Sequence, residues 1–252
     1  MTLRTLLAAS IALGALTAGA RAADLGQPRM PIASAIAAPA FSWAGFYFGL
    51  NAGYAFGRTA ARDLGDINGT PWYILGGRFS TSANGFTGGA QAGYNWQSGR
   101  IVAGFEADLG YLGTRGTGLY NAGGLDTFIT TRGGLAGTLR GRLGVAADRA
   151  LFYVTGGAIA ANVNSFVPSF AAFRTSSTGA QIGWTVGAGI EYAVAQNWSI
   201  KAEYLYYDLG SKRVVMNNGG ISPFDIRSNG NIVRVGVNYL FNTGSSAVVA
   251  RY

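Results

Sequence analysis

Along residues 231–241, NIVRVGVNYLF, apolar and polar positions alternate without a break. Val233, Val235, Val237, Tyr239 and Phe241 fall on one side, with Arg234, Gly236 and Asn238 on the other. A period of two marks a strand with two unlike faces. The scheme recurs through the chain. In 43–57, WAGFYFGLNAGYAFG, Phe46, Phe48, Leu50, Tyr54 and Phe56 alternate with Gly45, Tyr47, Gly49, Asn51 and Gly53. Further alternating runs cover 83–97, 100–113, 132–147, 150–162, 179–194 and 198–209, so the pattern predicts eight strands.

The connections alternate in length. Those at Ser98-Gly99, Asp148-Arg149 and Gln196-Asn197 are tight, whereas 58–82, 114–131, 163–178 and 210–228 are long and rich in Gly, Ser, Thr, Asn and Asp. An even number of up-and-down strands, with short turns at one end and long loops at the other, is the plan of an outer-membrane barrel. There the apolar face meets lipid and the polar face lines the lumen. A soluble up-and-down barrel inverts this, keeping its charges outside. Here the broad apolar faces carry essentially no charge. The expected fold is therefore all-β, an eight-stranded antiparallel up-and-down transmembrane β-barrel over 43–241.

The aromatics sit at two levels. Phe46, Tyr94, Trp96, Phe152, Tyr192, Trp198, Tyr239 and Phe241 lie beside a short turn or a terminus. In a barrel they form a girdle at the periplasmic interface, and Phe56, Phe86, Tyr111, Tyr204 and Tyr206 form a second ring near the long loops.

The opposite face holds Glu106, Asp108, Glu191 and Glu203 with Arg140, Arg142, Lys201 and Arg234. Acids and bases balance, and neighbouring strands carry opposite signs. Side chains nearly fill a bore of eight strands, and charges buried there are costly unless paired, so the eight are expected to form a structural lumen network. A narrow aqueous path is the alternative. Glu106 and Asp108 resemble a general acid/base pair, but the arginines beside them would keep both ionised.

The ends of the chain read differently. Residues 1–22 have the form of a secretory signal: Arg4, an apolar stretch over 6–16, and Ala20-Arg21-Ala22 before the cut. Cleavage after Ala20 is the competing choice. Residues 23–42 form an Ala/Pro-rich periplasmic linker, and 242–252 a periplasmic tail after a last strand ending at Phe241. No later apolar run is long enough for a spanning helix, and 40 glycines with 13% aromatics disfavour helices in general.

Composition narrows the chemistry further. Cysteine and histidine are both absent, which excludes disulfides, imidazole bases and Cys/His metal sites. No catalytic, cofactor-binding or metal-ligating residue is expected, and the chain is not read as an enzyme. The net charge of +8 comes without a Lys/Arg cluster or an RNA-binding motif, so nucleic acid is not an expected partner. The long connections carry Arg58, Arg62, Arg78, Arg115, Arg174, Lys212, Arg213 and Arg227, partly offset by Asp63, Asp66, Asp126 and Asp225. Scattered charges of this kind read either as a solvated surface or as contacts to the phosphates of lipopolysaccharide, which Arg and Lys suit. Loop aromatics, Trp72, Tyr73, Phe79, Phe128, Phe166, Phe170, Phe173 and Phe224, either offer apolar surface to a ligand or partner or pack on each other over the barrel mouth.

Taken together, WAGFYFGLNAGYAFG, FTGGAQAGYNWQ, GFEADLGY, LFYVTGGAIA, WTVGAGIEYAVAQNWSIKAEYLYYDLG and VRVGVNYLF resemble the alphaproteobacterial outer-membrane immunogenic, porin-like β-barrel family, the RopB-like small outer-membrane proteins. The resemblance spans 43–241. It implies an eight-stranded barrel in the outer membrane of a Gram-negative cell, abundant as an envelope component and displayed as a surface antigen. It also implies the barrel assembly machinery and outer-membrane lipid as partners. Some relatives are reported to bind haem, but no motif carries this over, and the lack of His removes the commonest axial ligand. The expected function is structural, supporting envelope integrity and presenting loops outside. The alternatives are porin-like diffusion of small solutes, and binding of a ligand or host partner through the loops. Many members end on the aromatic of the last strand, whereas this chain continues to Tyr252, so Phe241 and Tyr252 compete as the terminal assembly signal.

Overall fold

Alternation of side chains across each strand sets the architecture: one face of every strand packs inward while the other stays exposed. The computed structural model describes residues 41–64, 78–122, 125–168, 174–217 and 221–242. The segment read as a signal (1–22), nearly all of that read as a linker (23–42), the residues from 243 onward, and Asp66, Trp72, Tyr73, Phe170 and Phe173 lie outside the described residues.

The strands are β1 (Gly45–Asp63), β2 (Arg78–Ser98), β3 (Ile101–Leu112), β4 (Arg115–Ala122), β5 (Leu125–Ala147), β6 (Ala150–Pro168), β7 (Arg174–Ala193), β8 (Trp198–Asn217) and β9 (Ile221–Asn242). β3 and β4 are two lengths of one stave, interrupted at Gly113-Thr114. Both pair with β5, so the wall has eight staves. Every pairing is antiparallel, and β1 closes the wall by pairing with both β2 and β9. Phe46 stands opposite Tyr94 on one side and Phe241 on the other.

The strands run far into what the sequence pattern marks as loops. Thr59 pairs with Thr81, Thr117 with Thr130, Ser165 with Ser177 and Arg213 with Asp225. Much of 58–82, 114–131, 163–178 and 210–228 is thus ladder rather than loop, which corrects that expectation. The physical reason is that a strand rising beyond the lipid is wet on its outer face. Hydrophobic alternation disappears there, while backbone hydrogen bonds and β-branched threonines still favour the strand.

Two irregularities shape the outer end. The β5–β6 register shifts between Gly133 and Ala136, and the β8–β9 register between Asp208 and Ser211, where Gly210 takes a φ of +69°. Only glycine adopts that left-handed conformation at no steric cost. The β7–β8 ladder stops at Trp184↔Asp208; beyond it β7 pairs with β6 and β8 with β9.

Inside, the lumen is layered. At the short-turn end Trp43, Tyr47, Val102, Leu151, Tyr153 and Leu240 form a buried apolar cluster. Nearer the long hairpins Leu112, Ile159, Val163, Leu205, Tyr207, Leu209 and Ile232 form another. A lumen face that is polar or small throughout, as alternation alone suggests, is not what the structure has. Apolar layers cap a charged one from both sides.

Candidate functional site: the charged layer of the lumen

Each charged residue of the lumen is held by a strand on which its neighbours face out. Glu106 and Asp108 on β3 are flanked by Phe105, Ala107 and Leu109, all on the outside; Arg140 and Arg142 on β5 are flanked by Leu139 and Leu143. Glu106 and Arg140 are direct cross-strand partners, as are Glu191 with Lys201 and Glu203 with Arg234. Register therefore sets acid against base before any side chain reaches across.

The structure brings all eight charged side chains together, and none exposes more than 7% of its side chain. Glu106 is the hub. It accepts from Arg140 Nη2 at 2.5 Å, from Lys201 Nζ at 2.9 Å and from the Tyr47 hydroxyl at 2.8 Å, with Arg142 at 3.6 Å and Arg234 at 3.5 Å. Asp108 accepts from Arg140 at 2.8 Å, Arg234 at 2.5 Å and the Thr138 hydroxyl at 2.6 Å. Glu203 accepts from Arg140 Nη1 at 3.1 Å, Arg234 Nε at 2.6 Å and the Tyr153 hydroxyl at 3.1 Å. Glu191 accepts from Arg142 Nη2 at 3.0 Å, the Ser199 hydroxyl at 2.5 Å and Asn238 Nδ2 at 2.7 Å.

Neutral groups that charge counting does not find complete the layer. The Arg142 guanidinium lies 5.0 Å from the Tyr47 ring centroid and 4.8 Å from that of Tyr153, within cation–π range of both. Asn51 donates to Gln91, Gln91 donates to Asn238, and Asn238 continues to Glu191. The sequence signal for these residues is their inward parity alone. Two glycines make room for the tyrosines. A Cβ at Gly93 would collide with the Tyr47 hydroxyl, and one at Gly189 would sit 2.6 Å from Tyr153 Oη.

Paired charges of this kind are chemically quiet: each of the four carboxylates accepts from two or more donors. Among the described residues no group of three or more acidic side chains is arranged to hold a metal ion. Above the layer, between Asp108, Arg234, Leu112, Ile159, Leu205 and Ile232, lies a cavity of about 40 Å³, and a second of about 20 Å³ lies further out beside Tyr207 and Leu209. Such spaces hold a few water molecules at most. At the other end Trp43, fully buried, donates its backbone N–H to Gln97 and accepts from Asn95 through its carbonyl, drawing the lead-in to β1 across the mouth.

The girdle residues Phe46, Tyr94, Trp96, Phe152, Tyr192, Trp198, Tyr239 and Phe241 all lie on the outer side of the wall at the short-turn end. Edge-to-face contacts link Phe46 to Tyr94, Tyr94 to Trp96, and Trp198 through Tyr239 to Phe241. Of the second ring, Phe56, Phe86, Tyr111 and Tyr204 are exposed outside, and Tyr206 is half-buried beside Trp184.

Comparison with known proteins agrees with this architecture. Residues 8–241 match the family described as outer membrane protein beta-barrel domain. The 31 kDa outer-membrane immunogenic protein of Brucella melitensis biotype 1 is 38% identical over 243 residues, covering 94% of this chain and 98% of the relative. The 22 kDa outer membrane protein of Rhizobium leguminosarum bv. viciae is 34% identical over 184 residues, 73% of this chain and 72% of that one. Among solved structures, the outer membrane protein OprG of Pseudomonas aeruginosa superposes with a TM-score of 0.50 at 12% identity, over 78% of this chain and 97% of that chain, a likeness of fold. An eight-stave wall with an apolar exterior, together with these matches, makes this chain an outer-membrane β-barrel of the outer-membrane immunogenic protein family.

Proposed function

We propose that the protein is a closed structural barrel of the outer membrane, contributing to envelope integrity and holding its long hairpins on the cell surface, with no catalytic role. The observation that carries this reading is the charged layer, which joins opposite walls through buried ion pairs and is flanked by apolar clusters on both sides. A solute would have to break several buried charge pairs at once to pass. Breaking one such pair costs about 3–5 kcal/mol, so passive diffusion by this route is slow. The outward aromatics at the short-turn end act as the periplasmic girdle, with membrane lipid and lipopolysaccharide around the wall. Phe241 serves as the terminal aromatic read by the assembly machinery. Display at the surface is supported by the backbone ladder of β1, β2 and β4–β9, which continues past the apolar wall, and by the word immunogenic in the relatives' names.

Liposome swelling tests the closed-wall reading. Vesicles carrying the folded barrel should swell in small sugars and amino acids no faster than empty vesicles. Size-dependent swelling would favour the porin alternative instead.

A further inference from the structure

Arg115 on β4 and Arg132 on β5 are direct cross-strand partners, and both stand exposed on the outer face of the wall. Like charges placed directly opposite on adjacent strands are destabilising. The ion pairs of the described outer rim lie elsewhere, between Arg213 and Asp225 and between Arg227 and Asp208. Among the described residues neither Arg115 nor Arg132 has an acidic partner. On the other side of Arg115 stands Asn84, its single partner on β2, also exposed. One row across three staves thus presents an amide and two guanidiniums side by side on the outer face, neighbouring staves being roughly 4.8 Å apart.

What lies below this row is apolar. Phe86, next on the outer face of β2 and 79% exposed, packs edge-to-face on Tyr54. Tyr111 on β3 and Leu135 on β5 continue the exposed wall toward the membrane centre. Successive outward positions along a strand are roughly 7 Å apart, so the arginine row sits at headgroup height over a surface fit for acyl chains.

We infer that Asn84, Arg115 and Arg132 form a binding site for a phosphorylated lipid of the outer leaflet. The two guanidiniums take the phosphate through paired N–H donors, for which their planar fork is suited. The acyl chains run down over Phe86, Tyr111 and Leu135. An anion seated between the arginines turns their mutual repulsion into shared attraction, and the wall beneath selects an amphiphile over a soluble anion. The site is independent of whether the bore conducts.

The test uses the full-length mature barrel, refolded in non-ionic detergent and titrated with a bisphosphorylated glucosamine lipid, the same lipid after dephosphorylation, and inorganic phosphate, with binding read by native mass spectrometry. The wild type should prefer the phosphorylated lipid by about tenfold or more, as expected for charge-assisted hydrogen bonds. Arg115→Gln with Arg132→Gln should abolish that preference, and Arg213→Gln should keep it. Folding of each variant is checked by the mobility shift on heating, and the two single substitutions stand in if the pair fails to fold. A folded double variant with wild-type preference would overturn the site. Inorganic phosphate binding as well as the lipid, with the same loss in the variant, would overturn the lipid assignment. In lipid-free detergent the double variant should unfold at higher denaturant than the wild type, and unfolding at lower denaturant would contradict the unrelieved repulsion.

Discussion

Lys201 and Glu106 stand on opposite walls, on the seventh and third of eight staves, yet the ammonium nitrogen lies 2.9 Å from the carboxylate oxygen. One ion pair therefore spans the full diameter of the bore, with Arg140, Arg142 and Arg234 packed around the same carboxylate. Removing either end leaves the other charge buried. Glu106→Gln should lower the unfolding free energy by about 3–5 kcal/mol, measured by denaturant unfolding in lipid vesicles. Combining it with Lys201→Met should cost less than the sum of the single changes, because the double change restores neutrality.

The Arg142 clamp has its own signature. Tyr47→Phe keeps the ring over the guanidinium but removes the hydrogen bond to Glu106 and the one from Arg142 Nη1 at 3.1 Å. The expected loss is about 1–3 kcal/mol. Arg142→Lys should cost more than this, since an ammonium cannot both pair with Glu191 and lie flat between two rings. The same unfolding assay checks the order of the two variants.

Gly189→Ala should push Tyr153 off its contact with Glu203, at a cost of about 1–3 kcal/mol for overpacking. Adding Tyr153→Phe should recover part of this loss in a double-mutant cycle. Full additivity would mean that the glycine is not there for the tyrosine.

Much of this arrangement was legible in the alternation. Parity along each strand places Glu106, Asp108, Arg140, Arg142, Glu191, Lys201, Glu203 and Arg234 on one face and the aromatics of the two rings on the other, because the pleat leaves no third choice. Parity says little about depth. Leu205, between two outward tyrosines, and Leu151, Ile159 and Ile232 share the inward face with the charges, and only the three-dimensional stacking shows that they form caps above and below them. The lengths of the outer hairpins were hidden for a different reason. Beyond the lipid neither composition nor periodicity separates a wet strand from a loop, so Thr59↔Thr81 and Thr117↔Thr130 read as irregular until their backbone pairing is seen.

Trp43 closes the short-turn mouth independently of the charged layer. Trp43→Ala should destabilise the barrel by about 3–5 kcal/mol through the cavity it leaves. Because the layer beneath is untouched, the variant should stay as impermeable as the wild type in vesicle swelling, which separates the stopper from the seal.

Phe241 packs edge-to-face on Tyr239 at 5.0 Å and stands opposite Phe46, where β9 meets β1. Phe241→Ser should reduce the amount of folded barrel recovered in the outer membrane more than deletion of Tyr252 does, measured by the heat-dependent mobility shift of membrane fractions. The reverse order would assign the terminal signal to Tyr252.

The seal itself is tested most directly by single-channel recording in planar bilayers. The wild-type barrel should insert without conductance steps, and a variant that clears the layer, with Glu106, Arg140, Lys201 and Glu203 all changed to Ala, should show steps if it folds. Stable, ion-conducting steps from the wild type, unchanged when those four side chains are removed, would contradict a bore closed by its charges.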